Sequence, residues 1–201
     1  MSKPSSFAGD LSGLPTHAFG ARSLTWWGVI AYMLIEGTAF ALAGASYLFL
    51  MSQEQNWPPA RLPDLLAGTL FTVVILLSEL PNIILKKAAE KEDLAQVRRW
   101  LIVLDLIGLL LLVIRGFEFQ MINVRWNDNA YGSIAWALLL LHTVHILTDW
   151  VDSAVLTALM FTPHGKGRRF VDVSEDCLYW RFVWLTWLPI YLLLYWAPRV
   201  A

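Results

Sequence analysis

The sequence predicts an all-α integral membrane protein, a bundle of five transmembrane helices with its N-terminus inside and its C-terminus outside. The composition is unusually apolar for a chain of 201 residues, because 57% of them are hydrophobic and only 15% are charged. Five apolar runs are each long enough to cross about 30 Å of hydrocarbon at about 1.5 Å per residue. Backbone groups in lipid must be satisfied within the segment, which favours helices.

The elements follow in order along the chain. Residues 1–23, rich in Ser, Gly and Pro, are predicted to form a cytoplasmic tail, because the first apolar run comes too late and is too long for a signal peptide. Residues 24–198 are predicted to form one transmembrane domain with short loops. Its predicted spans are about 24–51, 65–85, 100–121, 131–161 and 179–196.

Lys and Arg are distributed unequally between the loops, and cytoplasmic loops carry the excess of both residues. The loop after the second span contains five of them and the loop after the fourth contains three. The opposite side has only Arg61, Arg125 and Arg199. This asymmetry predicts the orientation. The residues expected inside are Lys3, Arg22, Lys86, Lys87, Lys91, Arg98, Arg99, Lys166, Arg168 and Arg169.

Ionisable side chains within the spans are the main candidates for function. Each costs about 2.5–3.5 kcal/mol or more at the centre of a membrane, so such groups usually face the interior of a bundle. Arg115 and Glu118 are three residues apart on one helix face and are expected to pair. Helix rise places Glu36 near the midplane, where His142 or His145 is its expected hydrogen-bond partner. Glu79 and Asp105 are expected in the inner half of the membrane.

The fourth span carries the largest set of such groups, within "LLLLHTVHILTDWVDSAVL". His142, His145, Asp149 and Asp152 are spaced by three, four and three residues, which places them in one helical stripe about 80° wide. The stripe is expected to face another helix, a partner subunit or trapped water as a hydrogen-bonded polar seam. Two His and two Asp also resemble a metal-ligand set, but Glu36 is the only midplane candidate for a further ligand.

No residues for catalysis, cofactor binding or metal binding are predicted. The sequence has no Gly-rich phosphate loop and no Cys pair for an iron–sulfur site. The residues alone leave three interpretations open. They are a subunit of a membrane oxidoreductase, a stand-alone small proton or ion transporter, and a metal enzyme within the membrane. No nucleic-acid partner is expected.

Several motifs in order resemble subunit III of the haem–copper oxidases, from about residue 26 to 196. The first span, "WWGVIAYMLIEGTAFALAGASYLFL", has the family's midmembrane Glu at Glu36, and "NWPP" follows as its Trp-Pro-Pro loop. "IRGFEF" places Glu118 before an aromatic residue. "YGSIAW" and "HTVHI" resemble the family's Tyr-Gly-Ser and His-x-x-His patterns, and "YWRFVWLTWLPIYLLLYW" resembles its last helix.

The chain also departs from the family pattern. Arg181 and Trp184 stand where the family has His and Asp, Asp149 where it has Gly, and Glu79 where small polar residues are usual. We interpret these changes as compensating one another, and our hypothesis is that Arg181 pairs with Asp149 or Asp152.

The resemblance implies a five-span subunit III of a bacterial cytochrome c or quinol oxidase, in the plasma (inner) membrane. An accessory subunit related to nitric oxide reductase is the family's other form of this size. The chain itself would carry no haem or copper, which are expected in partner subunits. It would pack on the catalytic subunit I, bind phospholipid and other membrane lipids, and support proton uptake and stability of the complex.

Overall fold

The computed structural model describes residues 17–59 and 61–200, and helices dominate these residues. Five helical segments are long and apolar enough to cross a membrane, which confirms the predicted all-α membrane fold and its number of spans. Residues 1–16 of the predicted tail lie outside the described residues, and a short 3-10 helix at Gly20–Arg22 precedes the first span. The helices are α1 (Leu24–Gln53), α2 (Leu65–Leu77), α3 (Glu79–Glu90), α4 (Leu94–Met121), α5 (Ala130–Met160), α6 (Arg168–Tyr191) and α7 (Ala197–Val200).

The second span consists of two helices, α2 and α3, that are interrupted at Ser78. Pro81 explains the interruption, because a proline has no N–H to donate to the carbonyl of Leu77 four residues earlier. The Ser78 hydroxyl donates to the Ile75 carbonyl at 2.6 Å and accepts a hydrogen bond from Trp180 Nε1 at 2.8 Å. The irregular turn is therefore anchored to α6, and Glu79 follows it directly.

The last span is longer than the sequence pattern predicts. Helix α6 begins at Arg168, eleven residues before the predicted start of the span at Tyr179, so residues that were assigned to a loop are helical. Pro189 lies inside α6, and a π-helical turn at Leu192–Trp196 follows it before α7. An extra residue in a helical turn changes the direction in which the next side chains point. Tyr195 in this turn points into the core and is 1% exposed.

Caps and loop contacts define the two ends of the bundle. Asn129 caps α5 through a hydrogen bond from Gly132 N at 2.8 Å. At the other end His17 Nε2 lies 2.7 Å from Glu92 Oε1, and Arg98 Nε donates to the Met160 carbonyl at 2.8 Å. The start of α1, the α3–α4 turn and the α5–α6 turn therefore share one end. We call it the basic end, because the predicted inside Lys and Arg residues of the described chain lie there.

The core forms where α4, α5 and α6 pack on one another, with α2 and α3 covering one side. Trp187 and Leu138 are fully buried at this centre, whereas α1 lies at the edge and buries only Phe40 and Tyr47 among its described residues. Large apolar side chains on the outer faces remain uncovered, as is typical of a surface that contacts lipid or other subunits. The functional site is therefore expected between helices.

Candidate functional site: polar groups between the helices

A buried arginine cluster lies between α4 and α5, consisting of Arg115, Glu118, His142 and Tyr195. Arg115 Nη1 donates to Glu118 Oε2 at 2.6 Å, and Tyr195 donates its hydroxyl hydrogen to Glu118 Oε1 at 2.5 Å. Arg115 and Glu118 are 1% and 0% exposed. The predicted pairing of these two residues is present, and it is sealed from both lipid and water.

His142 completes this cluster from α5. Its Nδ1 lies 2.9 Å from Arg115 Nη2, and its Nε2 lies 3.0 Å from the Val183 carbonyl oxygen. Because a guanidinium can only donate, Nδ1 accepts and the ring hydrogen sits on Nε2. The guanidinium also lies 3.8 Å from the ring centroid of Phe71 and 4.2 Å from that of Trp187, so two aromatic faces enclose the cation.

A glycine makes room for this arrangement. A Cβ atom at Gly68 of α2 would lie 2.3 Å from the Tyr195 ring. Only a residue without a side chain lets the ring lie against α2 while its hydroxyl reaches Glu118.

Glu36 and His145 form a second polar contact, near the middle of the bundle. Glu36 Oε1 lies 3.1 Å from His145 Nε2, and Glu36 Oε2 accepts a hydrogen bond from the Tyr179 hydroxyl at 2.7 Å. His145 Nδ1 lies 2.6 Å from the Leu141 carbonyl, which only accepts, so Nδ1 carries a hydrogen. A hydrogen bond between His145 Nε2 and Glu36 Oε1 therefore needs a second proton, which either of these two atoms can hold. Of the two predicted partners of Glu36, His145 is present and His142 belongs to the arginine cluster.

An acidic cavity of about 480 Å³ opens between α1, α5 and α6 at the basic end. Its carboxyl groups are those of Asp149, Asp152, Asp172, Glu175 and Asp176. Asp149 and Glu175 are 5% and 4% exposed, and neither Glu175 oxygen has a hydrogen-bond partner within the described part of the chain.

The cavity wall holds other groups besides carboxyls. Arg169 also lines it but is paired with Asp172 at 2.7 Å, and Tyr32 and Tyr179 form the wall toward Glu36. The predicted stripe on α5 therefore runs from the arginine cluster through His145 to this cavity, and Asp152 borders the cavity as an exposed residue.

Asp105 on α4 lies beside the acidic cavity. Its Oδ2 accepts a hydrogen bond from Thr157 at 2.6 Å, and Trp150 Nε1 donates to its backbone carbonyl at 2.9 Å. A second cavity of about 10 Å³, the size of one water molecule, separates Asp105 from Asp149 and Asp176. Asp105 Oδ1 has no hydrogen-bond partner among the described residues.

The sequence prediction missed three residues of the cavity: Asp172, Glu175 and Asp176. They fall in the segment that was interpreted as a loop because its hydropathy is low. A usable signal is present, since Asp172, Glu175 or Asp176, and Tyr179 recur at the three- and four-residue spacing of one helix face.

The hypothesis that Arg181 pairs with Asp149 or Asp152 is wrong. Arg181 donates through Nε and Nη2 to Glu79 Oε1 on α3. The reason is helix geometry: Asp176 faces the acidic cavity, and Arg181 follows it by five residues, about 140° around the helix. The guanidinium therefore points away from the α5 carboxylates and toward α3.

Metal binding was the other interpretation of the α5 stripe. Among residues 17–59 and 61–200, no three His, Cys, Asp or Glu side chains approach one another closely enough to hold a metal ion. His142 and His145 instead make separate contacts, with Arg115 and Glu36.

Comparisons with known proteins identify the family. The family model of cytochrome c oxidase subunit III matches residues 15–198. The chain is 21% identical over 174 residues to cytochrome c oxidase subunit 3 of Thermostichus vulcanus, covering 86% of this chain and 87% of that protein. Probable cytochrome c oxidase subunits 3 of Mycobacterium leprae and Mycobacterium tuberculosis (strain ATCC 25618 / H37Rv) are 24% and 26% identical, each over 89% of this chain and 91% of theirs. The chain therefore belongs to the cytochrome c oxidase subunit III family, which makes it a multi-pass membrane subunit of an oxidase complex.

Proposed function

We propose that this chain is the non-catalytic subunit III of a respiratory haem–copper terminal oxidase in a bacterial plasma membrane. In this proposal it packs against the catalytic subunit I, which carries the haem and copper. Its basic end faces the cytoplasm and its C-terminus lies outside. The unequal distribution of Lys and Arg between the two ends supports the orientation.

The acidic cavity is the single observation that carries the functional part of the proposal. Five carboxyl groups line about 480 Å³ at the basic end, and the one cation among the described wall residues, Arg169, is already paired with Asp172. Such a set attracts protons and water, because uptake of a proton reduces the repulsion between carboxylates that are held close together. The cavity would therefore hold water and protons close to the mouth of the uptake path in subunit I.

The Glu36–His145 pair extends this role toward the middle of the membrane. Tyr179 lines the cavity and also donates to Glu36, so it connects the two sites. When the proton shared by Glu36 and His145 leaves the pair, either atom can accept a new proton from the cavity side without a large movement of side chains. The Phe40 ring centroid lies 4.7 Å from that of His145 and 6.2 Å from that of His142. This apolar ring therefore ends the series of polar groups that leads from the cavity to His145.

Phospholipid binding is the second part of the proposal. Leu34, Ile35 and Leu42 on the outer face of α1 are 64–70% exposed, a surface that acyl chains would cover. Lipid held there would keep α1 against the bundle and so lengthen the working life of the complex. The phosphate groups would lie outside the acidic cavity, whose carboxylates repel them.

Purification of the tagged chain from its native membrane tests the assignment. We expect a haem-containing subunit to copurify, visible in a reduced-minus-oxidised spectrum. Proton flux across liposomes that contain the purified chain alone would instead identify a stand-alone transporter and overturn the proposal. A copurifying complex that reduces nitric oxide and not dioxygen would identify the accessory-subunit alternative.

Substitutions in the cavity test its role within the complex. We expect Asp149→Asn with Asp176→Asn to slow oxygen consumption increasingly as the pH rises, because protons are scarcer and the cavity no longer concentrates them. Asp64→Asn is the matched control, since Asp64 is an exposed carboxylate at the opposite end without a side-chain capping bond. Equal rates for both variants at every pH would contradict the proton-uptake role.

A further inference from the structure

A second polar site, the Glu79–Arg181 patch, lies on the outer surface of the bundle where α3 meets α6. We define it by Glu79, Asn82, Arg181 and Trp184. Arg181 side-chain atoms are 36% exposed and those of Glu79 are 17% exposed, in contrast to the sealed Arg115 and Glu118. Exposed large apolar side chains lie on the adjoining turns of α2, α3 and α6, with Leu80 62% exposed and three further residues at 42–58%: Leu77, Ile84 and Leu185.

The hydrogen bonds within the patch are unequal in number. The Glu79 carboxylate accepts four: two from Arg181, one from Trp184 Nε1 at 3.0 Å and one from Asn82 Nδ2 at 2.9 Å. Four is about the full capacity of a carboxylate. Arg181 has five N–H donors and uses two of them on Glu79, and no described residue accepts from the remaining three. The patch therefore offers donors and needs acceptors.

Its depth determines what can supply these acceptors. Glu79 lies seven residues from Lys86, about 10 Å along α3, and Arg181 shares this depth because it contacts Glu79. At that depth a lipid offers only hydrocarbon, since its ester and phosphate oxygens lie at the membrane surface. Partly exposed guanidinium donors are costly there unless a polypeptide covers them.

From these observations we propose that the Glu79–Arg181 patch is the docking site for a transmembrane helix of another subunit of the complex. That helix presents a hydrogen-bond acceptor, such as a carboxylate, side-chain amide or hydroxyl oxygen, to the free side of the Arg181 guanidinium. Its apolar side chains pack on Leu80 and Leu185. Because the ion pair is already neutral, a neutral acceptor satisfies the site. The inference rests on the proposed role as an oxidase subunit.

Site-specific photo-crosslinking tests the proposal. A benzoylphenylalanine is placed at position 185, one turn beyond Arg181 on the same exposed face, in the complete complex in native membranes. We expect a crosslink to the middle of a transmembrane segment of a different subunit, with an acceptor side chain within one turn of the crosslinked residue. A crosslink to lipid alone, or to a second copy of this chain, would overturn the proposal.

A double variant of the ion pair shows whether the crosslink at position 185 depends on the Arg181 guanidinium or only on a nearby helix. Glu79→Gln with Arg181→Gln is expected to lower the crosslink yield at position 185 at least about tenfold, the loss expected for one charge-assisted hydrogen bond. Arg181→Lys keeps the ion pair with Glu79 if the double variant fails to fold, and we expect it to lower the yield less. An unchanged yield in a folded variant would contradict the role of the guanidinium.

The haem spectrum of the purified complex keeps the two proposals distinguishable. A wild-type chain that copurifies with haem but crosslinks only to lipid refutes the docking site alone. A chain that copurifies with no haem-containing subunit refutes the proposed function and, with it, the partner of the patch.

Discussion

The buried arginine cluster and the acidic cavity are both built on α5, yet their charges are balanced in opposite ways. In the cluster Arg115 has a carboxylate, an imidazole and two aromatic rings as neighbours, and the site is closed. In the cavity, five carboxyl groups share one cation among the described lining residues, and that cation is already paired.

The difference shows how one helix face serves two purposes. Groups far from both ends of the bundle must be matched within the protein, since no water can reach them. Groups near an end can remain unmatched, because water and protons supply what the protein does not. Stability is therefore expected to depend on the cluster, and exchange with the solvent on the cavity.

Breaking the buried arginine cluster is expected to lower the unfolding free energy by the largest amount. Arg115→Met leaves Glu118 buried without its cation, which costs about 3–5 kcal/mol of unfolding free energy. Thermal denaturation of the purified complex in mild detergent measures the loss. Arg169→Met is the matched control: its partner Asp172 is 23% exposed, and we expect a loss below about 1 kcal/mol.

A double variant sharpens this result. Arg115→Met with Glu118→Met removes both charges, and apolar replacement of a buried pair is often neutral. We expect it to recover most of the stability that the single variant loses. If the double variant is as unstable as Arg115→Met alone, then packing and not charge balance holds the cluster together.

Glu36→Leu is expected to have the next largest effect, because it leaves the Tyr179 hydroxyl and His145 Nε2 without their common partner. Each unsatisfied buried group costs about 1–3 kcal/mol, and we expect a total near 3 kcal/mol. Glu36→Gln keeps an acceptor for Tyr179 and should cost less. A melting temperature of Glu36→Leu equal to that of the wild type would show that Glu36 does not hold α1 to α6.

Gly68→Ala tests the packing around Tyr195. The added Cβ would overlap the ring at 2.3 Å, and overpacking of this kind costs about 1–3 kcal/mol. Gly28→Ala is the matched control on α1, because nothing lies within 4 Å of its added Cβ. Denaturation of both variants under one protocol gives the comparison, and a loss at Gly28 equal to that at Gly68 would exclude the Tyr195 explanation.

Asp149→Asn is expected to have the smallest effect on stability and the opposite sign. The side chain is 5% exposed and forms no ion pair with a described cation, so removing its charge relieves repulsion from its acidic neighbours. We expect a gain of about 1 kcal/mol at high pH, where the carboxyl is ionised, and little change at neutral pH, because an unmatched buried carboxyl takes up a proton. A loss of stability would show that Asp149 makes a structural contact and does not belong to an open acidic site.

Much of the fold could be predicted from sequence, because apolar run length alone identifies membrane spans. The pairing of Arg115 with Glu118 and the contact between Glu36 and His145 also followed from helix spacing and depth. Run length, spacing along a helix and depth from a helix end can all be read from the order of residues in one sequence.

The partner of Arg181 could not be predicted in this way. Its choice between Glu79 and the α5 carboxylates depends on how far α6 is rotated against its neighbours, and that rotation is set by packing contacts such as Trp180 on Ser78. The start of α6 was missed for a different reason. Acidic residues near the end of a span lower its hydropathy even when they line a cavity inside the bundle.

The placement of Glu36 on α1 and Tyr179 on α6, the main helix of the last span, has a consequence for biosynthesis. The two residues are 143 positions apart in the chain, so translation at about 5–20 residues per second separates their appearance by on the order of ten seconds. During that interval the glutamate enters the bilayer before its phenol partner exists. The hydrogen bond between α1 and α6 therefore forms only after α6 has been synthesised, and a chain that ends before α6 leaves Glu36 without this donor.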